Sequence, residues 1–290
     1  AGGIMAAPAA SGNVLLDSRT YAQNGCTFNY VGRANQVTGD IFTTGSTSKT
    51  IICDLDTSAL TLTLSVPTQT STLLYIKNGI FVESNTNNLS GGGALTIDAT
   101  GTYRSAIVTA TGDFPQLTGT RTFATGSTIE LNAAASTEQT LRGGLDYKNL
   151  IFSNGGTKKL SSATAQIDGT VTIKDAAIVD AETNTFGDYL TTTLVMTDTS
   201  RLILTKAATV PDMGRYNLTG GTIEFAGNSN LHRMRGPIYS SLSPDVDTAY
   251  NNVVISGANV NGGSGNYTFR NGATFTVDSG ARMSVTNQEL

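Results

Sequence analysis

Apolar and polar residues alternate along most of this 290-residue chain. The run Ala59-Leu60-Thr61-Leu62-Thr63-Leu64-Ser65-Val66 is strictly two-periodic, and Thr222-Ile223-Glu224-Phe225 has the same form. A period of two sends one set of side chains to a buried face and the other to solvent, which predicts half-buried β-strands. No window carries an i, i+3, i+4, i+7 stripe. The nearest, 163–167 and 175–182, are too short or too β-like for a helix. Strand-like runs begin near residues 27, 50, 60, 73, 94, 105, 128, 149, 170, 193, 201, 222, 252, 267, 274 and 282, and several steps are 21 to 23 residues.

That step selects among all-β architectures. Hairpin dipeptides such as Asn78-Gly79 and Asn271-Gly272 are too rare to join strands pairwise. A step of just over twenty residues suits one coil of a parallel β-helix, two or three short strands to a coil, with coils stacked about 4.8 Å apart. The expected fold is an elongated right-handed parallel β-helix, a solenoid with Leu, Ile, Val and Phe ladders inside and Thr, Ser and Asn outside. The alternative is a set of tandem β-sandwich domains of about a hundred residues each.

A longer recurrence overlies the coil step. Thr27-Phe28-Asn29-Tyr30, Thr128-Ile129-Glu130-Leu131 and Thr222-Ile223-Glu224-Phe225 start 128−27=101 and 222−128=94 residues apart. The landmarks Tyr147-Lys148-Asn149-Leu150 and Tyr250-Asn251-Asn252-Val253 are 250−147=103 apart, so the third copy has gained nine residues, placed in Pro237–Asp245. Self-similarity at this level divides 13–290 into three repeats, near 13–112, 113–206 and 207–290, following a flexible lead-in over 1–12.

Composition fits strands. Threonine is 46 of 290 residues, glycine 32, and charged residues only 14%. Thr suits a pleated half-buried surface, and Gly and Asn supply turns. The net charge of −4 and the scattered basic residues give no electrostatic case for nucleic acid. No apolar run reaches the ~18 residues of a membrane span, so no membrane insertion is expected. The chain begins at Ala1 with neither a basic n-region nor an apolar h-region, so a signal peptide is read as absent or already removed.

Candidate chemistry is sparse. Glu130 and Glu224 fall between apolar neighbours and are expected to point outward as solvated structural residues. Asn149 and Asn252 occupy equivalent turn positions, from which a carboxamide bonds the main chain of the adjacent coil. Tyr147 and Tyr250 are expected to cover the core edge with their hydroxyls outward. Cys26 and Cys53, 27 residues apart, are a disulfide candidate on adjacent coils, or else two small buried hydrophobes. With one histidine, His232, and two distant thiols, no metal site is expected, and no Gly-x-Ser-x-Gly elbow supports a triad. A polysaccharide-cleaving β-helix would use clustered carboxylates. Asp98, Asp168, Asp175 and Asp278 are the candidates, and they show no local pairing. Ice binding needs Thr-x-Thr pairs in register. The pairs at 61/63, 68/70, 120/122, 170/172, 191/193 and 274/276 follow no single period. The ligand-binding candidates are Arg233, Arg235 and Tyr239, in and beside the nine-residue insertion, since loops on a rigid scaffold concentrate recognition. Asp247-Thr248-Ala249 resembles the O-glycosylation motif of exported Bacteroidetes proteins.

The ordered series Gly112-Asp113-Phe114-Pro115, Gly126-Ser127-Thr128-Ile129-Glu130-Leu131, Glu138-Gln139-Thr140-Leu141, Tyr147-Lys148-Asn149-Leu150-Ile151-Phe152-Ser153, Thr157-Lys158-Lys159-Leu160 and Gly169-Thr170-Val171-Thr172-Ile173 resembles a known repeat. It is the repeat of very large secreted surface proteins of Bacteroidetes bacteria. The likeness covers 112–175 well, 219–285 moderately and the first hundred residues loosely. The third copy departs from it, with Asn230-Leu231-His232-Arg233 where the family has Gln-Thr. The resemblance implies an adhesin-like β-helical stalk exported by the type IX route, and an internal piece or mature fragment of something longer. The functional expectation is a non-enzymatic extracellular segment of a bacterial cell-surface protein, without cofactor. Its partners would be a surface or glycan ligand, or neighbouring copies of an assembly. Polysaccharide binding or cleavage, and ice binding, are the alternatives.

Overall fold

The computed structural model describes residues 4–8, 25, 27–38, 49–65, 68–69, 72–108, 113–134, 137–161, 166–181, 191–205, 215–227, 249–257, 260–261 and 269–284. Among them there is no α-helix. The chain divides into two compact units, Ala1–Leu131 and Asn132–Leu290.

The first unit contains β1 (Ile4–Pro8), β2 (Thr27–Gly32), β3 (Gln36–Val37), β4 (Thr50–Leu55), β5 (Thr61–Thr63), β6 (Thr68–Gln69), β7 (Leu73–Glu83), β8 (Leu89–Ser90), β9 (Ala94–Ser105), β10 (Arg121–Phe123) and β11 (Thr128–Leu131). The second contains β12 (Glu138–Leu141), β13 (Asp146–Tyr147), β14 (Asn149–Phe152), β15 (Thr157–Leu160), β16 (Gln166–Ile167), β17 (Thr170–Ile173), β18 (Ile178–Asp180), β19 (Thr193–Met196), β20 (Arg201–Leu204), β21 (Arg215–Leu218), β22 (Thr222–Phe225), β23 (Asn252–Ile255), β24 (Val260–Asn261), β25 (Phe275–Val277) and β26 (Met283–Ser284).

Within each unit the strand pairings are parallel, and each strand pairs with the strand one coil away. In the first unit, Ile4 pairs with Thr27, Thr27 with Thr50, Thr50 with Leu73 and Leu73 with Ala94, steps of 23, 23, 23 and 21 residues. In the second, Thr157, Ile178, Arg201 and Thr222 align at steps of 21, 23 and 21. Parallel pairing at a fixed step is a β-solenoid, as the spacing of strand starts predicted. It excludes the sandwich alternative, whose sheets are antiparallel.

Stacking turns the two-residue alternation into interior rows. Phe28, Ile51, Leu74 and Leu95 form one row, and Tyr30, Cys53, Ile76 and Ile97 the next, all buried. In the second unit Phe152, Ile173, Met196 and Leu218 make a third. Each residue in a row covers the one before it, so a coil lacks a core until its neighbour is in place.

β7 and β9 are longer than the other strands because each runs through a corner. Lys77 is an extra residue in β7 relative to β4, whose adjacent Cys53 and Asp54 pair with Ile76 and Asn78, and the phase changes there. Leu74 and Ile76 face inward before the bulge, Phe81 and Glu83 after it. Gly79 stands at φ +99°, and its partner is Gly101, where an added Cβ would lie 2.6 Å from the Ile76 carbonyl oxygen. Only glycine fits that approach.

Residues 4–8, expected within a flexible lead-in, instead form β1, paired along its length with Thr27–Val31. Without it β2 would leave one edge of main-chain N–H and C=O groups unpaired. The motif copies at Thr27 and Thr128 stand in different columns of the first unit. β2 aligns with β4 and the first half of β7, whereas β11 aligns with Thr102–Ser105 in the second half of β9. The structural period there is the coil, not the hundred-residue spacing.

Candidate functional site

The ligand candidates Arg233, Arg235 and Tyr239 lie outside the described residues, as do the rest of Pro237–Asp245 and His232. The coil that carries them is nevertheless measured by its flanks. Thr222 of β22 pairs with Asn252 of β23, a step of 252−222=30, while Arg201 to Thr222 is 222−201=21. The difference is nine residues, the same excess that separates the sequence landmarks. The nine additional residues therefore fall, along the chain, between two strands that remain in parallel register.

Within each unit, charged and polar side chains bond from one coil to the next. Arg104 Nε meets Glu130 Oε2 at 2.7 Å, and Arg201 pairs with Glu224. Both glutamates were expected to be solvated. They do leave the outward side of their strands, but both are buried, at 3% and 7% exposure. An arginine from the preceding coil lies over each, and Ser256 Oγ adds a bond to Glu224 Oε1 at 2.5 Å. Lys148 bridges Asp146 at 3.1 Å and Asp168, and Lys77 reaches Asp54 at 3.3 Å. The hydrogen bond to Asp168 is the main cause raising the Lys148 pKa.

Each of the four carboxylates considered for polysaccharide cleavage has its own local setting. Asp98 accepts from the Tyr75 hydroxyl at 2.7 Å, Asp168 is held by Lys148, Asp175 lies beside Lys174 at 3.6 Å, and Asp278 opens the turn closed by Ala281 N–H to its carbonyl. Among the described residues, no three His, Cys, Asp or Glu side chains gather where they would hold a metal. None forms a helix long and apolar enough to cross a membrane. The threonine pair 61/63 aligns with Ile80 and Val82, and 170/172 with Thr193 and Val195, so neither continues as a Thr-x-Thr pair on the next coil.

The asparagines behave as expected. Asn149 Oδ1 accepts from Thr170 N–H at 2.9 Å, and Asn252 Oδ1 from Thr274 N–H at 3.0 Å, each one coil away. Tyr147 and Tyr250 lie deeper than an edge-covering position. Both side chains are buried, and Tyr147 Oη donates to the Arg142 carbonyl at 2.6 Å. A phenol that enters the core must find such a partner. Cys53 faces inward opposite Tyr30, a free thiol 3.5 Å from the Asn78 carbonyl, and burial pushes its pKa up to about 12. Its proposed disulfide partner, Cys26, lies outside the described residues.

Two inward-facing ionisable groups were missed. Glu83 is fully buried, and its Oε2 accepts from Leu89 N–H at 2.9 Å. Burial pushes its carboxyl up to about 8, against the opposing pull of Leu89 N–H, Tyr103 and Ser105. Lys158 is also fully buried. Its Nζ donates to the carbonyls of Ala133 (2.8 Å) and Gly155 (2.7 Å), and burial lowers its pKa to about 8. Beside it in the row, Gln139 accepts from Ala133 N–H at 2.6 Å. The pair ties two turns together from inside.

Comparison with protein-family models, with curated proteins and with solved structures finds no match.

Proposed function

We propose that this chain is a non-enzymatic, extracellular segment of a large repetitive bacterial cell-surface protein, an adhesin stalk or surface-layer piece. Its work is mechanical. The observation that carries this reading is the direction of its polar bonding. Arg104 to Glu130, Lys77 to Asp54, Lys148 to Asp168 and Asn149 to Thr170 each join one coil to the next. Side chains spent in this way reinforce the ladder. Recognition then falls to the loops that interrupt coils, and the 30-residue step with its nine extra residues is the longest interruption between described strands. Arg233, Arg235 and Tyr239 belong to it. A tyrosine stacks on a sugar ring, and guanidinium groups bond its hydroxyls or an acidic substituent. The resemblance to secreted Bacteroidetes repeats supports placement at the outer cell surface, with glycans, surfaces or neighbouring copies as partners.

The test is display of the chain on a non-adherent bacterium. Attachment to glycan-coated and cell-coated surfaces would be measured beside a variant lacking 237–245. Adhesion that falls in a folded deletion variant supports the reading. New reducing ends released from an acidic polysaccharide would assign the cleaving alternative, and thermal hysteresis the ice-binding one.

A further inference from the structure

Three Asn-Gly dipeptides lie wholly within the described residues: Asn78-Gly79, Asn154-Gly155 and Asn271-Gly272. They share one latent reaction. The main-chain nitrogen of the glycine attacks the asparagine Cγ, a C–N bond forms, and the side-chain nitrogen leaves as ammonia, taking up the proton from the glycine nitrogen. Water then opens the cyclic imide at either carbonyl, giving aspartate or isoaspartate. The reaction needs a carboxamide that can turn onto the next residue and a main-chain nitrogen that is not otherwise engaged.

The fold ties up the carboxamide at two of the three sites, and at one of those the attacking nitrogen as well. Asn78 sits inside β7, and its Nδ2 donates to the Leu55 carbonyl at 2.6 Å. Gly79 is packed so closely that an added Cβ would lie 3.1 Å from the Leu60 carbonyl oxygen. Asn154 Nδ2 donates to the Asn132 carbonyl at 3.1 Å, and the nitrogen that would attack, Gly155 N, donates to the Asp175 carbonyl at 2.8 Å. Asn271 differs on each count. It and Gly272 are exposed, at the tip of a turn closed by Ala273 N–H to the Arg270 carbonyl at 3.0 Å. Gly272 stands at φ +81° with nothing within 4 Å of its would-be Cβ.

We propose that Asn271-Gly272 is a covalent ageing site, converting by intramolecular imide formation to aspartate or isoaspartate with water as the only co-reactant. The product places a carboxylate beside Arg270. In its isoaspartyl form it also lengthens the main chain by one methylene within the turn that leads into β25. Asn78 and Asn154 stay amidated while their coils are intact.

The experiment is peptide mapping by mass spectrometry of the whole protein after prolonged incubation at mildly alkaline pH, native and in denaturant. In the native protein Asn271 gains the mass of an amide-to-acid conversion at least about tenfold faster than Asn78 or Asn154, the ratio that 1.4 kcal/mol of opening free energy supplies. In denaturant the three rates converge. Asn271→Gln, at an exposed position, abolishes conversion there and leaves the other two rates unchanged. Conversion of native Asn78 or Asn154 as fast as Asn271 would overturn the proposal, and so would an Asn271 that is stable when native yet reactive when denatured.

Discussion

Glu83 and Lys158 both face inward, and burial acts on them in opposite directions. Taking charge out of water disfavours the ionised form, so the carboxyl rises from 4.5 to about 8 and the ammonium falls from 10.5 to about 8. The signs then follow. Folding holds a proton on Glu83 that the unfolded chain has lost above 4.5, so its contribution is complete below 4.5 and is lost as pH rises through about 8. Folding releases a proton from Lys158 that the unfolded chain keeps, so its contribution is complete above 10.5 and is lost as pH falls through about 8. Stability should therefore fall between 4.5 and 8 and recover from 8 to about 9, above which the buried Cys53 thiol, pushed up from 9.0 to about 12, offsets the further gain from Lys158. Urea midpoints across that range would show the trough. Glu83→Gln should flatten the first limb and Lys158→Met the second, each leaving the other in place. Both residues were open to a closer reading of the sequence. Leu160 is inward, so a period of two puts Lys158 inward as well. The bulge at Lys77 reverses the phase that would have kept Glu83 outside. The burial of Glu130 was not legible, because the arginine that covers it lies 26 residues away and arrives only with the register.

At the scale of elements, the strand starts at 73, 94, 128, 149, 170, 193, 201 and 222 are those the alternation marks. They were readable because most inward side chains are apolar where coils stack. What alternation alone could not supply was the corner. The run expected to begin near 105 is instead the end of β9, which continues from Ala94 through Gly101, as β7 continues from Leu73 through Gly79. Gly101→Ala tests the corner directly. Its new methyl group would sit 2.6 Å from the Ile76 carbonyl oxygen and 2.9 Å from the Ile97 side chain. Overpacking of this kind costs about 1–3 kcal/mol. The measurement is the shift in urea midpoint, with Gly92→Ala, which meets nothing within 4 Å, as the matched control. Equal shifts in the two variants would mean that the corner does not depend on the missing side chain. The nine-residue excess in the third copy was legible as an offset, and it reappears in the β22 to β23 step. The arrangement of Arg233, Arg235 and Tyr239 lies outside the described residues.

At the scale of the molecule, stability in a solenoid is close to a sum over neighbouring coils, so damage stays local. Val253 of β23 is fully buried between Ile223 and Phe275. Val253→Ala should speed amide exchange in β22, β23 and β25. Within the same unit, β15 and β18 should keep their protection. Mass-resolved hydrogen exchange would register the difference, and uniform loss of protection across that unit would refute locality. The fixed coil step also has a kinetic consequence. A strand's partner is about 22 residues away in a chain of 290, so the typical contact spans about 22/290, or roughly 0.08, of the length, the range of fast-folding helical bundles rather than of β-sandwiches. Loop closure, the slow step for most all-β chains, is short and nearly identical at each addition. A chain of this kind assembles as it is delivered, one rung at a time onto the rung before.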